Sequence, residues 1–363
     1  MATTIDFQKE AKEALTVLTT KWYNANPPSE YGSAYWIMGS YLWQSANALE
    51  TILDYQKVTG DTLTFSNTVD GVYNAFDQAF WPGWFGYYDD ESWWGISCLK
   101  AYQISNNKKW LSLAQKIYVD LQGGWDTKCG GGIWFKRNPK SYPDNFKGDI
   151  ANELMMVLAG RLYNDSSIEN NKEYLQWAEK TWTWMNKLGL IGSQFVIDQL
   201  GPDCLPIPEK PWTYTQGVLL GGAIELFKAT GDRSYLEQAI KVADAVCEQL
   251  IWPSGILREK CELSNPESCD NNAKLFKGIF MRYLQFLYLE LITLGTNYKD
   301  TTERYKIFII KNATSLLTNY KNATFGLDWN GGSTVFGPVV QISGINVVIA
   351  AIAVTTISPS KFQ

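Results

Sequence analysis

The sequence predicts an all-α fold, an (α/α)6 barrel: a toroid of six helical hairpins. Three observations lead there. Twelve stretches carry helical patterning, and turn signals separate them. The stretches alternate between helices with one apolar stripe and helices apolar nearly all round. A helix apolar on every side is buried, whereas a striped one covers something, so six of each describe an inner ring inside an outer ring. Finally, the junctions repeat. Lys57-Val58-Thr59-Gly60-Asp61 and Lys228-Ala229-Thr230-Gly231-Asp232 are near copies, and Ile104-Ser105-Asn106-Asn107-Lys108 is echoed by Glu169-Asn170-Asn171-Lys172-Glu173. Each ends an apolar helix and starts an amphipathic one. We expect one domain, 1–363.

The elements follow in order. Residues 5–24 are amphipathic, with Phe7, Ala11, Ala14, Leu15, Leu18 and Trp22 on one side, and Pro27-Pro28 stops them. Residues 33–57 are more apolar. Residues 66–80 end at Trp81-Pro82-Gly83, and 90–104 are apolar until Asn106-Asn107. After the amphipathic 108–121, a Gly-rich loop holds Cys129-Gly130-Gly131-Gly132-Ile133-Trp134-Phe135. Its short alternation predicts a small β-hairpin. Helices are predicted at 147–162, 171–188, 213–229, 234–250, 274–294, 300–319 and 338–354. The last is very apolar, but Gln341, Ser343 and Asn346 interrupt it and it falls short of about 20 uninterrupted apolar residues, so we read it as an inner helix and expect no membrane span. The long loops precede the inner helices and would gather at one mouth.

Composition narrows the chemistry. The chain is 45% hydrophobic and 14% aromatic, so a large core is available. Its net charge of −5 without basic clusters argues against nucleic acid as a partner. There is no histidine, which removes Ser-His-Asp and Cys-His nucleophiles and most zinc sites. Acid–base work then falls to carboxylates, and we expect neither metal nor cofactor.

The six cysteines include no C-x-x-C. Cys261 and Cys269 bracket a short polar loop and are the best candidate disulfide. Cys129 and Cys204 both lie in loops and could pair as well. Cys98 and Cys247 fall inside helices and read as thiols. Asn164-Asp165-Ser166, Asn312-Ala313-Thr314 and Asn322-Ala323-Thr324 fit the N-glycosylation sequon. Met1-Ala2-Thr3-Thr4 is no signal peptide, so either a leader has been removed or the protein is intracellular; the cysteines and sequons favour a secreted or cell-wall protein.

The stretch that points to function is Gly86-Tyr87-Tyr88-Asp89-Asp90-Glu91-Ser92-Trp93-Trp94-Gly95. Asp89 and Asp90 fall at a helix's first turn, where anions suit the positive end of the dipole. Capping alone explains such residues. The surrounding Trp81, Trp84, Phe85, Tyr87, Tyr88, Trp93 and Trp94 add flat aromatic faces, which suit stacking of sugar rings. Glu91 reads as a solvent or cap residue. Glu153 and Glu225, on inner helices, are fallback carboxylates.

These residues give the chain a family likeness. It resembles glycoside hydrolase family 76, the endo-α-1,6-mannanases and their fungal cell-wall relatives. The matching pieces are Tyr35-Trp36, Tyr88-Asp89-Asp90 with Trp93-Trp94-Gly95, Cys129 to Trp134, Lys147 to Asn152, Tyr214-Thr215-Gln216-Gly217 and Phe276 to Phe280. Where bacterial members carry Asn-Ala-Ile-Ser-Asn, this chain has Gly148-Asp149-Ile150-Ala151-Asn152, which adds Asp149 as a third acid.

The resemblance implies a retaining mechanism, with Asp89 as nucleophile and Asp90 as general acid/base. Asp90 must then stay protonated, so activity in mildly acidic solution is expected. Tyr35, Trp36, Trp84 and Trp134 are candidates for sugar stacking, Asn152, Tyr214 and Gln216 for hydrogen bonds to mannose hydroxyls, and Lys277 for a donor at the mouth. The expected partner is mannan or a mannose-containing oligosaccharide, and the expected state a monomer. Two alternatives stay open. One is a transglycosylase acting on the mannose core of a GPI glycan, and the other a sugar-binding protein without turnover.

Overall fold

A computed structural model of the chain describes residues 5–25, 35–36, 42–79, 86–169, 172–263 and 268–357. Among these, the predicted helices are all present, but those expected over 5–24 and 33–57 are shorter, because Tyr23–Asn24 and Tyr35–Trp36 pair as strands. They are α1 (Phe7–Lys21), α2 (Leu42–Thr59), α3 (Ser66–Ala79), α4 (Tyr88–Ser105), α5 (Lys108–Gln122), α6 (Ile150–Asn164), α7 (Lys172–Lys187), α8 (Thr213–Thr230), α9 (Arg233–Gln249), α10 (Ala273–Thr293), α11 (Lys299–Asn319) and α12 (Pro338–Thr356). The alternation has its expected meaning. Helices α4, α6, α8 and α12 are buried along most of their length, whereas α1 and α5 bury a single stripe.

The repeated junctions share one physical solution. Gly60 and Gly231 end their helices with φ of 77° and 75°, a left-handed conformation that glycine adopts without steric cost. Their N–H groups return to Gln56 O (2.8 Å) and Phe227 O (2.7 Å). Thr59 and Thr230 receive the next N–H, from Asp61 and Asp232. Those aspartates then accept from the backbone of Thr64 and Ser234.

The chain forms two compact units, Met1–Ala75 with Val246–Gln363, and Phe76–Ala245. In the first, α12 packs against α1, α2, α10 and α11. It is long and apolar enough to cross a membrane, but neighbouring helices bury it. Its polar residues are spent inside: Gln341 accepts from Phe325 N–H (3.0 Å) and donates to Ala323 O and Ala14 O. Buried Arg282 on α10 reaches Glu50 (2.8 Å), Asp54 (3.0 Å) and Asn47 (2.7 Å) on α2. A two-stranded antiparallel ladder, β1 (Tyr23–Asn24) with β2 (Tyr35–Trp36), also belongs here.

In the second unit, α4, α6 and α8 lie side by side, with α5 on α4 and α7 on α6. Gly95 permits the close approach: a Cβ there would stand 2.8 Å from Leu158 of α6 and 2.9 Å from Ile117 of α5. The Cys129 loop, where a hairpin was expected, turns back through a 3-10 turn at Lys128–Gly130 and closes on the antiparallel bridge Trp125↔Ile133. Gly132 has φ of 85°, and a Cβ there would meet Trp184 at 2.2 Å. Disulfides join Cys261 to Cys269, the best candidate pair, and Cys129 to Cys204, which the sequence left as a possibility; Cys98 and Cys247 are thiols, as their place in helices suggested.

Candidate active site

The site is assembled within the second unit. Four extended segments lie edge to edge through antiparallel bridges, Tyr87 with Lys136, Trp134 with Lys147 and Gly148 with Gln199. They link the segment leading into α4 to the one leading into α6, and that in turn to the 196–200 loop. Asp149 N–H donates to Asp198 O (3.0 Å), and Leu200 N–H to Lys147 O (2.9 Å). This backbone scaffold brings Asp198 beside Asp89, although 109 positions separate them in the sequence (198 − 89).

Asp89 and Asp90 occupy the first turn of α4, but the cap position belongs to Tyr87, which makes no side-chain cap. The two acids are therefore free of the capping role. Each keeps part of its surface open, whereas Asp89 Oδ1 is enclosed and has no hydrogen-bond partner. Burial pushes the Asp89 carboxyl up to about 7. The N–H groups of Asp89 and Asp90 favour its ionised form, and the charge of Asp198 opposes it. Burial and then Asp89 itself hold Asp90 well above the usual carboxylate range. Two adjacent carboxyls are thus both raised by burial, and the charge of Asp89 opposes ionisation of Asp90.

Three further groups face this pair or its neighbour Asp198. Asp149 and Glu153 sit one turn apart and are fully buried, and both are pushed well up by burial and then by Asp198. Tyr214 is half-buried at the start of α8. Burial, then Asp198, Asp149, Asp89 and Glu153, keep its phenol protonated and able to donate. Asp198 escaped the sequence reading because it stands in a long irregular loop. The only local signal is the pattern Val196-Ile197-Asp198, an acid directly after apolar residues in a Pro/Gly-rich stretch.

Several predicted contacts take other roles. Trp134 is 1% exposed, donates to Asp126 (2.7 Å) and lies under the Lys147 ammonium, so it offers no face to a sugar. Lys147 is buried on Asp126, Lys128 O and Gly131 O. Asn152 spends its amide on Ile133 and Gly148, and Gln216 on Val196 and Thr215. Both are fully buried; they hold loops and do not reach a ligand. Lys277, in the first unit, is 1% exposed and paired with Glu262 (2.7 Å) and Leu327 O (2.7 Å). Glu91 is no solvent residue: it is fully buried against Arg137. Glu225 pairs with Arg161 and Asn164, whereas neither oxygen of Glu153 has a hydrogen-bond partner. Trp84 and the side chains of Tyr35 and Trp36 lie outside the described residues.

Comparison with known proteins bears on this arrangement. Residues 7–361 match glycosyl hydrolase family 76. The mannan endo-1,6-alpha-mannosidase DCW1 of Candida albicans is 29% identical over 268 residues, 67% of this chain and 57% of that protein. The Saccharomyces cerevisiae protein of the same name is 26% identical over 333 residues, 85% of this chain and 71% of that one. The chain thus spans 57% to 71% of these relatives' own length. Among solved structures, an inactive variant of the alpha-1,6-mannanase GH76A of Salegentibacter sp. HEL1_6, with two consecutive aspartates replaced and alpha-1,6-mannotetrose bound, superposes with a TM-score of 0.82. It is 23% identical and covers 96% of this chain and 100% of its own. Dfg5 from Chaetomium thermophilum, in complex with glucosamine, gives 0.77 at 19% identity, covering 99% and 94%. The common fold is the (α/α)6 barrel. With the match running almost from end to end, this chain belongs to glycoside hydrolase family 76.

Proposed function

We propose that the chain is a retaining endo-α-1,6-mannanase working as one domain over residues 1–363. The observation that carries this reading is the consecutive Asp89-Asp90 pair at the start of α4, with Asp198 and Tyr214 beside it. In the first step the Asp89 carboxylate attacks the anomeric carbon and the glycosidic C–O bond breaks. Asp90 gives its proton to the departing oxygen. The product is a glycosyl ester on Asp89. In the second step Asp90, now ionised, takes a proton from water as the water oxygen bonds to the anomeric carbon, and Asp89 leaves as carboxylate. The α configuration is retained. Support comes from the relatives named mannan endo-1,6-alpha-mannosidase and from the inactive double-aspartate variant of the mannanase.

Tyr214 and Asp198 are the groups we place against sugar hydroxyls, one donating and one accepting. A second reading keeps the ester but lets a sugar hydroxyl replace water, giving transglycosylation. Association with a cell wall fits the likeness to the fungal proteins. The test incubates the protein with α-1,6-mannan and follows products by chromatography and by NMR of the newly released anomer. Short α-anomeric oligomers lost in both Asp89→Ala and Asp90→Ala support the mannanase. A new conjugate with an added sugar acceptor moves the reading to transglycosylation. Sugar binding with no product, unchanged in Asp89→Asn, refutes both.

A further inference from the structure

The first turn of α4 is gripped from behind. Residues on a helix are about 100° apart, so Tyr88 and Glu91 share one face and Asp89 and Asp90 turn away from it. Arg137 covers that rear face. Its guanidinium lies 4.4 Å from the centre of the Tyr88 ring and bonds both to Glu91 and to Asp120 in the last turn of α5. The backbone reinforces the grip: Arg137 N–H donates to Gly86 O (3.0 Å) and Tyr88 N–H to Phe135 O (3.0 Å). Arg137 itself is held in place, because Asn145 accepts from Lys136 N–H (2.9 Å) and donates to Lys136 O and Pro139 O.

One cation therefore joins three chain segments at the base of the acid pair. Both carboxyl contacts are made by Nη2 of a planar guanidinium that also lies over the Tyr88 ring; a lysine there would bring a single nitrogen on a stem of different reach and no planar group to lay on the ring. Glu91 follows Asp90 directly, so any rotation that moves Glu91 moves both acids. We infer that Arg137, through Glu91, Asp120 and Tyr88, fixes the rotational register of this turn and thereby aims Asp89 and Asp90; it is a positioning residue and does not touch substrate. This inference rests on Asp89 and Asp90 being the reacting pair.

The test compares Arg137→Lys, Glu91→Ala and Glu91→Gln with Asp89→Asn and Asp90→Asn, on an α-1,6-mannose oligomer. Each is assayed at least ten degrees below its own melting midpoint. Arg137→Lys keeps the charge but loses the planar group and its reach. We expect kcat to fall at least tenfold, KM to stay within twofold, and the limbs of the kcat/KM pH profile to move by more than half a pH unit. Glu91→Ala should behave the same way, and it carries the test if Arg137→Lys does not fold. Glu91→Gln still accepts from the guanidinium and should keep kcat within threefold. Lower melting midpoints with kcat and pH limbs unchanged would assign a purely structural role and overturn the inference. If Asp89→Asn or Asp90→Asn keeps turning over, the site assignment fails instead; if both are dead while the Arg137 and Glu91 variants are normal, only the positioning role fails.

Discussion

Asn152 holds Ile133 from both sides: its Oδ1 accepts the Ile133 N–H at 2.8 Å, and its Nδ2 donates to the Ile133 carbonyl at 3.1 Å. Gln216 repeats the device one hairpin later on Val196, at 2.7 and 3.2 Å. In each case the first turn of an inner helix fastens the loop before it. The loops so fastened carry the segments that frame Asp89, Asp90 and Asp198.

The first prediction separates this role from sugar binding. Asn152→Asp removes a donor and leaves the Ile133 and Gly148 carbonyls to compete for none. Each buried group left unpaired costs about 1–3 kcal/mol, so a loss of roughly 3 kcal/mol is expected. The melting midpoint should fall by several degrees, while KM for mannose oligomers stays within twofold. A KM raised tenfold with an unchanged midpoint would restore Asn152 to the substrate-binding set.

The second prediction concerns pH. The Asp89 carboxyl lies at about 7 against an unfolded value of 3.8, and Glu91 at about 8 against 4.5. Burial is the main cause for each, with Asp198 adding to the first and Asp120 to the second. Between the two sets of values the native chain binds more protons than the unfolded one. Stability from these groups is thus fully present below about 4, falls as pH rises from there, and is lost once pH has passed through about 7 to 8. On the proposed mechanism activity runs the other way at first, because Asp89 must ionise to attack. The acid limb of kcat/KM belongs near neutrality, above the mildly acidic range that the sequence alone suggested. Asp198→Asn removes a charge that opposes ionisation and should shift this limb downward. A wild-type limb near 4 would show that burial does not govern Asp89.

A third prediction concerns the sequons. Asn312 is fully buried, with its amide on Leu257 N–H (2.8 Å) and Phe308 O (2.9 Å), and Asn164 donates to Glu225. Asn322 is exposed, in a turn with φ of 56°. Expressed through a glycosylating secretory route, the folded protein should carry glycan at Asn322 and not at Asn312 or Asn164. Loss of one glycan's mass in Asn322→Gln, and no change in Asn164→Gln, is the expected result by mass spectrometry.

How far the sequence reaches is clear from particular residues. Helical periodicity and Gly-Asp junctions are local properties, so the helices could be read without coordinates, as could the short Cys261–Cys269 loop; the Cys129–Cys204 pairing stayed open until the structure closed it. That Asp89 and Asp90 are neighbours at a helix start was legible for the same reason. Asn152, Gln216, Trp134 and Lys277 were misread because composition cannot tell which partner a polar group meets once the chain closes. A buried lysine on a carboxylate and an exposed one at a cleft look alike in one dimension. Asp198 was missed because its role comes from a loop bonded to another loop, which has no periodic signature. Glu91 was read as solvated because acids are common in first turns; only the approach of Arg137 from a distant segment buries it.

The last prediction ranks the two disulfides. Cys129–Cys204 closes 75 residues and Cys261–Cys269 only 8. Loop-closure entropy grows with the logarithm of that length, giving about 4.5 kcal/mol for the first and about 2.5 kcal/mol for the second. The longer bridge also ties the Cys129 loop to the loop after Asp198, and Lys128 Nζ reinforces it by donating to Pro202 O (3.2 Å). Replacing Cys129 and Cys204 by serine should therefore cost more stability than replacing Cys261 and Cys269, and it should lower kcat as well, since Asp198 stands only six positions before Cys204 (204 − 198). Urea unfolding and steady-state rates on the two double variants decide it. Equal stability losses would discount the entropy argument, and a normal kcat in the Cys129/Cys204 variant would show that the four bridged segments hold Asp198 beside Asp89 without the covalent tie.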